Sequence, residues 1–176
     1  MGLFPWREVG YDESNHGKYP EICVAVSSQI NSDPIYSKAV SGKIRKDHSN
    51  ILRKLNKRDY SFLLFTETDN DLIPKDKKLG IVLASLIYKE EIGDHLNIYI
   101  DGEWPNDDKN FAHKLLRDIT KLPISRIRLN SGAGLDKKIS LVNISDETAH
   151  WLLRRKSFEE LRDEPKRKKV LVDLIY

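Results

Sequence analysis

Asp12 and Glu13 adjoin in the segment Val9-Gly10-Tyr11-Asp12-Glu13-Ser14-Asn15-His16-Gly17, where a strand-like run gives way to turn formers. A second run, Leu96-Asn97-Ile98-Tyr99-Ile100, ends on Asp101 and Gly102. Two strands that each deliver a carboxylate at the C-terminal end supply the hard oxygen ligands that Mg²⁺ or Mn²⁺ takes, on supports rigid enough to fix their spacing. Glu103, Asp136 and Asp146 are further candidates for the set. Three or four such acids can hold two cations about 4 Å apart, one activating a water and the other stabilising the leaving oxygen of a phosphodiester. Side chains alternate along a strand, so the neighbours Asp12 and Glu13 share a face only if the strand ends there. Each acid also has a plain reading. Asp12-Glu13 can open a polar turn, Asp101-Gly102 is a common turn pair, and Asp136 sits in a loop after glycines. Asp146 follows a helix-capping serine, where the helix dipole favours an acid by ~0.3–1 kcal/mol. Acids at two separate strand ends weigh the set toward a site.

His16, in the turn after Asp12-Glu13, is placed to contact a phosphate, and His150 falls one helical turn after Asp146. No histidine spacing suggests zinc, and Gly132 and Gly134 lack the Lys-Ser/Thr of a phosphate-binding loop.

The elements that must position these residues follow from periodicity. Strands are expected over 6–12 and 21–28, forming a hairpin, then a basic helix over 41–57 with Ile44, Ile51, Leu52 and Leu55 at helical spacing. A short apolar strand over 61–66 precedes a polar loop over 67–76 and a helix over 77–89. The strand 96–101 leads to a helix over 107–121 that begins on Asp107 and Asp108. Residues 124–129 alternate as a strand, 130–134 form a turn, and 139–143 read as extended. Ser145 is expected to cap a helix running to about residue 163, with a last strand over 169–175. Hairpin strands followed by strands alternating with helices imply an α/β fold with a mixed sheet and helices on its faces.

At 176 residues the chain is expected to form a single domain over 1–176, with 157–176 a C-terminal extension or edge strand. Charged residues make up 32% and hydrophobic ones 39%, which suits a globular chain and excludes disorder. No apolar stretch is long enough for a membrane span, and the N-terminus lacks the pattern of a signal peptide. The single cysteine, Cys23, excludes an internal disulfide and reads as a buried small hydrophobe, so the cytoplasm is the expected compartment. Net charge is only +3, but Lys43, Arg45, Lys46, Arg53, Lys54, Lys57 and Arg58 crowd one segment. Such a cluster can neutralise backbone phosphates without reading sequence. The apolar terminal run Val170-Leu171-Val172-Asp173-Leu174-Ile175 raises the prospect of pairing across a homodimer.

The pattern resembles the ribonuclease H-like superfamily, specifically type 2 ribonucleases H and the branch that opens with an Asp-Glu-Ser motif. Gly10-Tyr11-Asp12-Glu13-Ser14-Asn15-His16-Gly17 is similar to the type 2 opening Gly-x-Asp-Glu-Ala-Gly-Arg-Gly, and Asp101-Gly102-Glu103-Trp104-Pro105 to its Asp-Gly-x-x-Pro segment. The resemblance implies a ribonuclease H-like mixed sheet: an N-terminal antiparallel hairpin, then parallel strands, with helices on both faces. It implies a two-metal nuclease acting on RNA or an RNA/DNA hybrid, with Asp12, Glu13, Asp101 and Asp146 catalytic. Asn143-Ile144-Ser145-Asp146 is similar to the branch's Gln-x-Ala-Asp and makes Asp146 the preferred last ligand, with Asp136 second. His16 stands where type 2 enzymes carry an arginine that reads a ribose hydroxyl, and Lys43, Arg45, Lys46 and Arg53 would hold the nucleic-acid backbone. The rival expectation from the same residues is a non-catalytic module on this fold that binds nucleic acid or protein.

Overall fold

A computed structural model describes residues 4–14, 17–28 and 51–175. His16, Lys43, Arg45, Lys46 and most of the expected basic helix lie outside these described residues. The elements are β1 (Trp6–Ser14), β2 (Glu21–Ser28), α1 (Ile51–Leu55), β3 (Arg58–Phe65), α2 (Glu67–Leu72), α3 (Lys78–Ile87), β4 (Ile92–Asp101), α4 (Asn106–Thr120), β5 (Ile127–Gly132), α5 (Ser140–Arg155), α6 (Phe158–Arg162) and β6 (Arg167–Lys168). The strands form a six-stranded sheet in the order β5-β4-β1-β2-β3-β6. β1, β2 and β3 pair antiparallel, whereas β4 lies parallel to β1 and β5 parallel to β4. This is the expected mixed sheet.

Alternation along the strands splits the apolar residues between two layers. Val9, Tyr11, Cys23, Leu63, Leu96, Ile98 and Ile100 pack under α3 and α4. Ile22, Val24, Val26, Phe62 and Leu64 pack on the other side against Ile51 of α1, Leu141, Ile144 and Leu152 of α5, and Leu161 of α6. Helices therefore cover both faces. α3 is buried along nearly its whole length, Leu79 to Ile87, because it lies between the sheet and α4.

Several local expectations give way to capping chemistry. Residues 67–76 are not a loop: Thr66 and Asp69 form a capping box that starts α2. β5 extends through the expected turn to Gly132, held by its pairing with β4. α5 starts at Ser140, so of 139–143 only Ile139 is extended, and Ser145 lies inside the helix. The helix then stops at Arg155, and Ser157 with Glu160 caps a separate α6. No strand forms over 169–175: β6 ends at Lys168, and a 3-10 turn, Val172–Ile175, follows, with Leu171 N donating to Ser85 Oγ at 3.0 Å. Val170 and Leu174 pack on this chain's own core. No helix among the described residues is long and apolar enough to cross a membrane.

Candidate active site

β1 runs unbroken to Ser14, which sends Asp12 and Glu13 to opposite faces of the sheet. Asp12 lies opposite Val24 and shares the α5 side with it. The parallel register of Tyr11 with Ile100 brings the ends of β1 and β4 level, so Asp12 and Asp101 stand on neighbouring strands. Gly102 (φ +91°), whose N–H donates to the Gly132 carbonyl, turns the chain sharply just past Asp101. The Leu135 N–H donates to Asp101 Oδ1 at 2.8 Å, which ties the 3-10 turn carrying Asp136 to the same strand end.

α5 adds the next acid through an unusually close contact. A Cβ at position 10 would lie 2.2 Å from the Leu141 carbonyl carbon, so only glycine lets the helix rest on β1 here. Ser145 Oγ shares its proton between the Gly10 and Leu141 carbonyls, both at 2.8 Å. One residue on, Asp146 projects toward Asp12. His150 Nε2 lies 3.3 Å from Asp146 Oδ1, and its Nδ1 lies 3.5 Å from Ser14 Oγ, which bridges α5 back to β1.

The electrostatics follow from this crowding. Burial pushes the Asp12 carboxyl up to about 8; the Glu13 N–H, donating at 2.8 Å, works against that, and Asp146, Asp101 and Glu13 add to it by repulsion. Asp136 is raised as well, by burial first and then by Asp101 and Asp146, with Lys137 opposing. Asp12, Asp101, Asp136 and Asp146 thus share one field. Four oxygen-donor side chains in mutual repulsion, one of them only 8% exposed, suit a hard divalent cation.

Glu13 belongs to a different constellation. Tyr11 Oη donates to Glu13 Oε2 at 2.7 Å, and ligand atoms of Glu13, Glu21 and Cys23 all lie within 4.8 Å of one another. That is the one such close set of acid, cysteine and histidine atoms among the described residues, and it is tighter than the aspartates. A cation already serves it: Lys78 Nζ bonds Glu21 Oε2 at 2.9 Å and lies 4.5 Å from the centre of the Phe65 ring. Burial drives the Tyr11 hydroxyl and the Cys23 thiol well above their usual ranges, while Glu21 and Glu13 outweigh burial and raise Lys78. The period-two spacing of Tyr11 and Glu13 is visible in the sequence, but the arrival of Lys78 from α3 is not.

Of the other candidates, Glu103 is exposed in the turn after β4. Arg53 is exposed on α1, and its neighbour Lys54 bonds Glu147 of α5 at 2.6 Å, fastening α1 to α5. Sequence reasoning missed Glu147, whose only signal is its place one residue after Asp146.

A six-stranded mixed sheet of this order, with helices on both faces and acids gathered at the ends of β1 and β4, defines a ribonuclease H-like fold. Solved structures agree. The ribonuclease HII of Archaeoglobus fulgidus, determined in complex with PCNA, is 18% identical with a TM-score of 0.56, over 89% of this chain and 77% of that one. The ribonuclease H2 of Pyrococcus horikoshii is 17% identical with a TM-score of 0.60, over 89% of this chain and 76% of that one. A point mutant of Bst ribonuclease HIII is 13% identical with a TM-score of 0.52, over 91% of this chain but only 56% of that one. By sequence, no protein family and no curated protein matches.

Proposed function

We propose that this chain is a nuclease that hydrolyses phosphodiester bonds in RNA or an RNA-containing strand, with Mg²⁺ or Mn²⁺ held by Asp12, Asp101, Asp146 and Asp136. The observation that carries the reading is the Asp12 carboxyl, buried and pushed to about 8 beside Asp146 and Asp101. A buried acid disfavoured in its charged form by other acids is what a bound divalent cation would relieve. Such cations would supply Lewis acidity at the scissile phosphate. The chain's own residues set the stage for it. The Glu13 N–H orients Asp12, the Leu135 N–H orients Asp101, and His150 holds Asp146 against β1. Arg53, with His16, Lys43, Arg45 and Lys46 beyond the described residues, would hold the backbone of the substrate. The ribonuclease H neighbours support an RNA-containing substrate by analogy of fold.

A second reading, a non-catalytic module binding nucleic acid or protein, is favoured by one observation: Glu13 is turned to the opposite face and bonded to Tyr11. One experiment separates the two. Melting is followed in EDTA, Mg²⁺ and Mn²⁺ for the wild type and Asp101→Asn, alongside cleavage of an RNA/DNA hybrid. The nuclease reading expects millimolar metal to raise the wild-type Tm by roughly 5 °C, the shift that saturating a site gives a chain of this size. The variant should lose both the shift and the cleavage. Undiminished cleavage by Asp101→Asn refutes the assignment, and a wild type indifferent to metal that still binds nucleic acid establishes the second reading.

A further inference from the structure

α5 rests on β1 and β2 and begins only at Ser140, whose neighbour Leu141 sits over Gly10. Among the described residues, no helix covers the earlier part of β1 or most of β4 and β5 on that side. Because Leu96, Ile98 and Ile100 face α3 and α4, His95, Asn97, Tyr99 and Asp101 face this uncovered side, and Ile127 and Leu129 likewise leave Arg128 facing it. A cavity of about 450 Å³ opens there, lined by Asp94, His95, Asn97, Ser125, Arg126 and Arg128. Every lining side chain is polar. Asn97 and Arg128 are register partners, and so are Asp101 and Gly132, four residues further along the same two strands. At ~3.3 Å per residue the cavity therefore lies roughly 13–20 Å from the aspartates.

The acids around this cavity are largely engaged, though Glu8 Oε2 is buried with no hydrogen-bond partner among the described residues, and its guanidiniums keep spare donors. Asp94 Oδ1 accepts from Arg7 Nε at 3.0 Å and lies 3.1 Å from His95 Nδ1. Glu8 Oε1, close behind, accepts from Asn97 Nδ2 at 2.8 Å and meets His95 Nε2 at 3.1 Å. Arg126 uses one N–H on the Asp94 carbonyl, and Arg128 forms no hydrogen bond or ion pair among the described residues. Two guanidiniums with free donors, a serine hydroxyl and an amide around one concavity make a receptor for an oxyanion. We propose that it binds a backbone phosphate of the nucleic acid, about four to six nucleotide steps from the scissile bond at the ~3.4 Å axial spacing of a duplex strand. The inference rests on the nuclease reading for its ligand. An edge strand also carries arginines to block pairing with other sheets, but that role predicts no nucleic-acid affinity.

The test uses binding rather than turnover. Affinity of the Asp101→Asn protein for an RNA/DNA hybrid of about 20 base pairs is measured against salt, with and without Arg126→Glu and Arg128→Glu together. The expected result is at least tenfold weaker binding and a slope of log affinity on log salt reduced by roughly one, the value of a single phosphate contact. Lys114→Glu with Arg117→Glu on α4, across the sheet, makes the same change in net charge and should leave the slope unaltered. An unchanged slope in the cavity variant, or an equal loss in the α4 variant, overturns the proposal. If the wild type fails to cleave the hybrid while the cavity-specific loss persists, the nuclease reading falls and the phosphate site stands.

Discussion

Asp12 and Glu13 are adjacent in the chain, yet they live in opposite electrostatic worlds. On the α5 side, Asp12 meets Asp101, Asp136 and Asp146, and among the described residues no lysine or arginine pairs with Asp12 or Asp101. On the α3 side, Glu13 takes the Tyr11 hydroxyl and its neighbour Glu21 takes Lys78. The second cluster is the tighter one, but its charge is balanced from within the fold and it asks nothing of the solution. The first is looser. Proximity of acids therefore does not by itself mark a site.

Removing a ligand tests that contrast most severely. Asp101→Asn should lower metal-dependent cleavage roughly a thousandfold, the scale of several kcal/mol of lost transition-state stabilisation, while far-UV circular dichroism stays unchanged. Lys78→Met should act on stability instead. It strands Glu21, whose side chain is 6% exposed, and should cost about 3 kcal/mol in denaturant unfolding. Glu21→Gln in the same chain should restore much of that loss. Neutralising Asp12 should do the reverse of Lys78→Met. The folded carboxyl titrates near 8 and the unfolded one near 3.8, so the folded state binds the extra proton between those values. The share of stability that Asp12 sets, without metal, is thus fully present below pH 4 and is lost as pH rises toward 8. In EDTA, Asp12→Asn should recover on the order of 2 kcal/mol at pH 8 and almost nothing at pH 4. Tyr11→Phe is the mildest change, removing one hydrogen bond for about 1 kcal/mol. If Glu13 can serve the aspartates, releasing it should enlarge the Mg²⁺-induced rise in Tm; an unaltered rise would keep Glu13 in its own cluster.

The strands that carry the site are legible because each alternates cleanly: β2 falls on 21–28 as expected, and Asp12 and Asp101 sit near the ends of β1 and β4. What escapes the sequence depends on partners far along the chain. Ser145 looks like a helix cap, but its proton goes to the Gly10 carbonyl, and the helix has already begun five residues earlier. The mostly apolar segment 139–142 fits strand or helix, and only packing on β1 decides. Thr66-x-x-Asp69 is a readable capping box, outweighed in the sequence reading by the polar residues around it. The parity of Asp12 and Glu13 follows from period two once β1 is known to continue to Ser14, and that length is set by its pairing with Ile22.

Where α5 touches β1, main chain meets main chain with no side chain between them. The separation of Asp12 from Asp146 is then a sum of backbone dimensions, which are the same in every protein. A gap filled by side chains would widen or narrow with each substitution in the core; this one cannot. Such a gauge holds the two acids at one spacing whatever side chains fill the rest of the core. It also concentrates the vulnerability of the whole site in a single missing methyl group at position 10.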